Sequence, residues 1–395
     1  MRRLLLLVAV LVFVDTMLYA ALTPLLPHFA HELGLSKLRA GILVAAYPAG
    51  ALVGGLPGGA AAAKLGPRRA VIVGLVGMGL ASLGFALADS FWSLFAARFV
   101  QGLGSAFTWA GAFSWLLAAS PRDRRGQLIG SAMGAAVFGA LFGPVIGAAA
   151  ALAGRTVIFA ALAGLSVVLI AATLRLEPAP IEHPSAAAIG RALRDYRFAA
   201  GLGLMALASL LFGILSVLGP LRLSAAGWGA AAIGAVWLTG AALETVGSPL
   251  VGRLIDRRGK LLPVRVALVL SVALALGLAA GPRPLVYAAL IVISAAAFGV
   301  LFTPAFVLIA DGAESVALPQ GMAFGFMNAA WAIGAFVGPA AGGAIASATG
   351  DWIPFVLGAA LCATAFAFAR PASDHVGAAV VIDRLPGDAA GVRGK

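Results

Sequence analysis

The sequence predicts an all-helical integral membrane protein of twelve transmembrane helices, arranged as two six-helix bundles related by a parallel internal repeat. Three observations carry that prediction. The first is composition: of 395 residues, 62% are hydrophobic and only 11% charged, where a soluble domain carries about 25% charged residues to coat its surface. The second is the length of the apolar runs, which reach the roughly 20 residues a helix needs to cross the hydrocarbon core. The third is a pair of patterns that recur at nearly the same offset in both halves. A chain this poor in charge is not a soluble enzyme, a nucleic-acid binder or a secreted disulfide scaffold. Its formal charge of +12 is spread in short runs between apolar stretches, so it reads as membrane topology and not as affinity for nucleic acid. The single cysteine, Cys362, forms no internal disulfide and no cysteine-based metal site.

In chain order the apolar segments run approximately over 4–27, 39–63, 70–88, 91–118, 127–152, 155–174, 198–219, 228–251, 263–280, 284–310, 318–347 and 351–369. They are continuous and do not alternate with period two, which favours helices over a barrel. The start, Arg2 and Arg3 before an apolar run and Ala20, has the outline of a secretory signal, but Asp15 in mid-run and the polytopic remainder argue against cleavage. With the N-terminus inside, the cytoplasmic segments hold 21 of the 27 lysines and arginines. The external loops hold Lys37, Arg39, Arg155, Arg222 and Arg283, and Arg98 lies within a span. That bias places both termini in the cytoplasm of a multi-pass protein of the cell membrane.

Residues 1–174 and 198–370 are the two expected bundles. Between them, 175–197 carries Pro178, Pro180 and Pro184 and the basic group Arg191, Arg194 and Arg197, and is expected as a solvated linker with a surface amphipathic helix. The tail, 371–395, is polar and rich in glycine and alanine, and is expected to be disordered.

The repeat is the most informative feature. Gly59, Lys64 and Gly66, between spans two and three, match Gly252, Arg257 and Gly259, between spans eight and nine, as G-x4-[K/R]-x-G at a spacing of 193. In span five, Gly130, Gly139, Gly143, Pro144 and Gly147 recur in span eleven as Gly325, Gly334, Gly338, Pro339 and Gly342, at a spacing of 195. Two offsets agreeing within two residues imply duplication of a six-helix unit. Halves of that kind place a substrate site between them near the bilayer midplane.

On these residues the chain resembles the major facilitator superfamily, and within it the twelve-span drug–proton antiporters, over everything but the tail. The loop pattern is similar to the superfamily's loop between spans two and three. The span-five pattern resembles the glycine-proline signature associated with antiporters. Arg98, Gln101, Gly102, Gly104 and Ala106 are similar to the family's R-x2-Q-G-x-G-x-A. Three positions depart from the pattern: Ala63 stands where the loop expects aspartate, Pro67 where it expects arginine, and Ala148 where span five expects a second glycine.

Three charges lie inside spans. Asp15 is near the middle of span one, where an ionised carboxylate costs several kcal/mol unless paired or hydrated. It reads as a proton-coupling or substrate-sensing group, against the alternative of a permanent ion pair locking helices. Tyr19, one turn on, is placed to hydrogen-bond it. Arg98 remains protonated and would be the fixed counter-charge; Gln101, Ser105 and Thr108 follow it as one polar stripe facing the bundle interior. Glu244, read as lying toward the cytoplasmic end of span eight, is either a second titratable or cation-selecting site or a structural partner for Arg253 or a base in a neighbouring loop.

The glycine-proline helices, through Gly139, Gly143, Pro144, Gly334, Gly338 and Pro339, read as kinked interfaces on which the halves rock. The two loops read as a cytoplasmic gate of Gly59, Lys64, Gly66, Arg68, Gly252, Asp256, Arg257 and Gly259. By the resemblance, Asp256 faces the start of span five at Gly126, Gln127 and Leu128, while Ala63 leaves the other side without its acid, so that Asp311 and Glu314 are expected to meet Lys64, Arg68 and Arg69. Trp109, and Trp331 one turn after Asn328, are the aromatics singled out as lining a cavity for flat lipophilic substrates.

No Walker loop is present, so ATP is not the expected energy source. His28, His31, His183 and His375 form no metal spacing within the membrane, with His28, His31 and Glu32 read as a solvated loop, and no nucleophile–base motif appears. No metal, cofactor or nucleic acid is expected; the partners are protons, a small-molecule substrate and the bilayer around a monomer. The resemblance implies proton-coupled efflux of small lipophilic or cationic compounds by alternating access. A sugar, amino-acid or other metabolite carrier on the same fold is the alternative, and a non-transporting membrane sensor a remoter one.

Overall fold

The structure, a computed structural model, describes residues 2–120, 125–178, 186–258, 261–318 and 320–369. The described residues form helices and no strand. The first half holds α1 (Arg2–Ala20), α2 (Leu22–Glu32), α3 (Lys37–Leu65), α4 (Pro67–Leu87), α5 (Phe91–Ala119), α6 (Arg125–Ala153) and α7 (Arg155–Leu174). A short α8 (Ala186–Arg194) lies in the linker, with Ala188 and Ala192 buried and Arg191 and Arg194 exposed. The second half holds α9 (Tyr196–Ala225), α10 (Ala230–Arg258), α11 (Leu261–Ala279), α12 (Pro284–Val300), α13 (Phe302–Ser315), α14 (Gln320–Thr349) and α15 (Trp352–Phe368). The expected tail, 371–395, lies outside the described residues.

Ten stretches among the described residues are long and apolar enough to cross a membrane, against the twelve expected. The other two expected spans correspond to α5, 29 residues long but interrupted by Arg98, Gln101 and several glycines and serines, and α15, which has 17 residues. Spans one and ten are each two helices, α1 with α2 and α12 with α13. The breaks fall at Ala21 and Leu301, three residues before Pro24 and Pro304. A proline has no N–H to give the carbonyl four residues back, so Ala20 and Val300 lose their ladder partners where the helices part. His28, His31 and Glu32, expected in a loop, lie on α2, with His28 Nε2 3.3 Å from Glu32 Oε2 at i,i+4 spacing.

Helix ends follow local chemistry. Ser36 accepts from the Arg39 N–H at the start of α3, and Asp195 from the Phe198 N–H at the start of α9. Gly66, with φ +90°, turns the chain between α3 and α4 in a conformation that side chains beyond glycine resist.

The helices pack within each half mainly through glycine. On α6, a side chain at Gly139 or Gly143 would collide with backbone of α1 at Phe13 or Met17, and one at Gly147 with the Ala21 carbonyl at the break before α2. On α14, Gly334 and Gly338 stand in the same relation to Ala206 and Leu210 of α9. The repeated glycines therefore seat each of these helices on the first helix of its own half. The glycine faces of α6 and α14 thus pack within each half, while Pro144 and Pro339 of the same helices stand where the halves meet. Pro144 and Pro339 each lie inside a helix that continues past them.

The halves meet along two seams. One joins α3 to α14, where Gly41 lies against Pro339 and Gly343; Leu38 N–H donates to Ser347 Oγ at 2.8 Å, and Lys37 pairs with Asp351 at 2.5 Å. The other joins α10 to α6 and α2, where Gly234 lies against Pro144, Ala148 and Pro24. Gly41 and Gly234 are 193 positions apart and meet prolines 195 apart, so the two seams are counterparts under the same repeat. Large apolar side chains such as Leu6, Leu80, Val157 and Leu285 remain exposed on the outer surface, as a lipid-facing helix requires.

Candidate functional site

Glycines also build the polar centre of the first half. Gly102 and Gly50 let α5 and α3 touch backbone to backbone: a side chain at Gly102 would overlap the Tyr47 carbonyl, and one at Gly50 would stand 2.8 Å from Leu103 N. Gly104 does the same against α4, 2.7 Å from the Gly74 carbonyl oxygen. This approach brings Tyr47 of α3 and Trp109 of α5 onto Asp15 of α1. The Tyr47 hydroxyl donates to Asp15 Oδ1 at 2.8 Å and the Trp109 indole N–H to Oδ2 at 2.6 Å. The Ser105 side chain reaches both Asp15 and Tyr47.

Arg98 is almost fully buried at 1% exposure, and its two terminal nitrogens donate to neutral acceptors. Nη1 bonds the Leu18 carbonyl at 3.0 Å and Gln101 Oε1 at 3.1 Å, and Nη2 the Tyr19 carbonyl at 3.1 Å. Leu18 and Tyr19 follow directly on the α1 turn that carries Asp15, so Arg98 clamps the backbone beside the acid. No ion pair joins the two among the described residues. Between them stands Tyr47, whose ring lies 4.8 Å below the guanidinium while its hydroxyl holds Asp15.

Other expected residues are placed differently. Tyr19 does not bond Asp15, whose two oxygens are taken by Tyr47 and Trp109; its ring packs on Tyr47 at 5.2 Å and edge-on against Trp331 of the other half at 5.1 Å. Gln101 donates to Ser82 Oγ at 3.1 Å, and Thr108 bonds the Gly104 carbonyl and contacts the Met78 sulfur. The polar stripe on α5 thus divides, with Ser105 toward Asp15 and Gln101 and Thr108 toward α4. Glu244 lies midway along α10, and not toward its end, because that helix continues to Arg258.

A cavity lies between the halves, with Tyr19, Arg98 and Pro144 from one and Phe212, Trp237 and Glu244 from the other in its walls. Of the seven residues expected to bind substrate, Tyr19 is the one that lines it; Gln101, Ser105, Thr108 and Trp109 are engaged within the first half, and Asn328 and Trp331 lie outside its walls. Tyr47, Trp237 and Phe212 were not singled out in the sequence. Trp237 had a signal: it lies seven residues before Glu244, two helical turns along the same face. Tyr47 had a weaker one, a polar handle on an aromatic in an otherwise apolar run.

At the expected gate, Lys64 and Arg257 are exposed, and Gly59 and Gly252 have nothing within 4 Å of an added side chain. Arg68 donates to the Leu176 carbonyl at 3.1 Å, at the start of the linker, in place of the expected acids. The side chains of Ala63, Gln127, Arg253 and Asp256, and all of Gly259, lie outside the described residues.

The sequence model of the Major Facilitator Superfamily matches residues 8–318. The chain belongs to the major facilitator superfamily. It is therefore a multi-pass membrane transporter of the secondary type, and not an enzyme. Curated relatives include an uncharacterised MFS-type transporter of Yersinia pestis (strain Pestoides F), 28% identical over 67% of this chain and 69% of the relative. Another, from Escherichia coli O7:K1, is 26% identical over 64% and 66%. Among solved structures, a D-xylose-proton symporter superposes with TM-score 0.74 at 13% identity, covering 93% of this transporter and 96% of that chain. A bacterial homologue of the human lysosomal transporter Spinster, inward-facing and occupied, does so with TM-score 0.74 at 16% identity over 92% and 95%. At those identities the likeness is one of fold.

Proposed function

We propose that this transporter is a proton-coupled antiporter that exports small lipophilic or cationic compounds across the plasma membrane by alternating access. The observation that carries the proposal is Asp15: a carboxylate in mid-span whose two oxygens are held by the neutral donors Tyr47 and Trp109, with no ion pair among the described residues. A salt bridge would fix the carboxylate in its charged form; hydrogen bonds from neutral donors favour that form too, but less strongly, against the cost of holding a charge in mid-span. Arg98 serves as the permanent charge beside it. In its clamp on the Leu18 and Tyr19 carbonyls it ties any change at Asp15 to the backbone of α1, the helix that borders the cavity.

The termini are cytoplasmic in this reading, so the end bearing Lys37 and Asp351 faces outward and is closed here by both seams. The halves, 1–174 and 198–370, rock as units tethered by 175–197, and the loop motifs around Gly59 and Gly252 form the inner gate. The chain works as a monomer.

Proteoliposomes with an internal pH dye test the proposal directly. Adding a transported compound from a panel of lipophilic cations should move protons in the opposite direction, and Asp15→Asn should abolish that movement while leaving the protein folded. Full activity with an unchanged pH dependence in Asp15→Asn would refute the role of this residue. Uptake of sugars or amino acids without response to the cations would favour the metabolite-carrier alternative.

A further inference from the structure

The inter-half cavity holds polar groups that the protein itself leaves unanswered. The Trp237 indole N–H and the Arg98 Nε–H are both buried without a hydrogen-bond partner among the described residues, and both residues line the cavity. A buried donor left unpaired costs about 1–3 kcal/mol, so two in one cavity are unusual unless something else fills them. On the same helix as Trp237, Glu244 also lines the cavity, and no hydrogen bond or ion pair to its carboxylate is found among the described residues. Room for that carboxylate comes from Gly299 of α12, where an added Cβ would coincide with it. The remaining wall is aromatic and apolar, with the Phe212 ring tilted at 60° against Trp237, centroids 5.4 Å apart, and Tyr19 and Pro144 from the other half.

We infer that this cavity takes an amphoteric aromatic compound: a basic nitrogen held by Glu244, a carbonyl or carboxylate held by the Trp237 and Arg98 N–H groups, and a flat body between the rings. The inference deepens the transport reading and rests on it. A plain lipophilic cation would satisfy Glu244 and leave both donors empty. A plain acid would fill the donors and leave the half-buried Glu244 carboxylate without a counter-charge. A compound carrying both groups satisfies all three at once.

The test is equilibrium binding to the purified full chain in detergent by titration calorimetry, with a matched set of probes. These are 4-aminomethylbiphenyl, biphenyl-4-carboxylate and 4′-aminomethylbiphenyl-4-carboxylate, together with the same three head-group combinations on the more flexible diphenylmethane body. On at least one body the two-group compound should bind at least about tenfold more tightly than either one-group compound, the size expected of a charge-assisted hydrogen bond. Glu244→Gln should reduce it to the affinity of the acid alone, Glu244→Asp should retain the preference, and Trp237→Phe should reduce it toward that of the amine alone. Equal affinities within both sets, no binding by any probe, or a Glu244→Gln variant that weakens all three alike would overturn the inference. If neither Glu244 variant folds, the probe series on the unaltered chain decides. A chain that exchanges protons but shows no two-group preference sinks this inference and leaves antiport standing; one that prefers the two-group probe without moving protons does the reverse.

Discussion

Gly41 offers the sharpest perturbation of the closed seam. A Cβ there would stand 3.1 Å from the Pro339 carbonyl carbon and 3.2 Å from Gly343 Cα, and closer still to the Pro339 carbonyl oxygen. Non-bonded carbons rest at about 3.5–4.0 Å, so α3 and α14 must part by roughly 0.5 Å for the carbons alone and about 1 Å for the oxygen. Both partners are backbone, which cannot rotate away. Overpacking of this kind costs about 1–3 kcal/mol, and only in the state in which the seam is shut. The balance between shut and open should then shift by about 5- to 150-fold. Cysteine accessibility reads the shift. In a Cys362→Ala background, Val44→Cys places a thiol in the cavity wall, buried while the seam is closed. A membrane-impermeant maleimide applied from the side of Lys37 and Asp351 should label it correspondingly faster when Gly41→Leu is added. Gly164→Leu, at a position with nothing within 4 Å, should leave the rate alone. An unchanged rate in a Gly41→Leu protein present at normal levels would refute the reasoning.

Four further outcomes are expected. Lys37→Ala or Asp351→Ala should raise the same labelling by no more than about fivefold, because the pair is part-exposed at 39% and 21% and such pairs contribute about 0.2–1 kcal/mol; a much larger effect, or one insensitive to salt, would count against this. Tyr47→Phe keeps the ring under Arg98 but removes a donor from Asp15, and should slow proton-coupled transport by about tenfold or more, measured as the initial rate of dye response; an unaltered rate would contradict it. Arg98→Lys keeps the charge but loses the fork that reaches Leu18, Tyr19 and Gln101, and should cost about 1–3 kcal/mol of stability, visible as a lowered melting temperature in detergent. Gly299→Ala should push the Glu244 carboxylate out of its place and reproduce the binding defect of Glu244→Gln; retained amine preference would show that the carboxylate has another resting position.

The fold was legible because it is written in redundancy. Long apolar runs and a glycine-proline series repeated at a spacing of 195 needed no three-dimensional information, and the counterpart contacts of Gly139 on α1 and Gly334 on α9 keep that register. The charges in the membrane were legible for a similar reason, since Asp15, Arg98 and Glu244 stand out against an apolar background. Their partners were not. Tyr47 and Trp109 reach Asp15 from two other helices, and which ring arrives is decided by glycines 50 and 102 letting backbones touch. Helical spacing suggested Tyr19 because it is the neighbour along α1, but spacing along one helix says nothing of what a facing helix delivers. The Lys37 and Asp351 pair, 314 positions apart, was invisible for the same reason.

Ala148 marks a division of labour between the two copies. It stands where its counterpart Gly343 has no side chain, and its Cβ is the atom nearest to an added side chain at Gly234, at 3.2 Å. On the opposite seam, with glycine at that place, α3 settles directly onto the backbone of α14. One methyl group thus spoils the mirror between two duplicated halves. The two duplicated interfaces are therefore no longer interchangeable: backbone meets backbone between α3 and α14, whereas a side chain stands between α10 and α6.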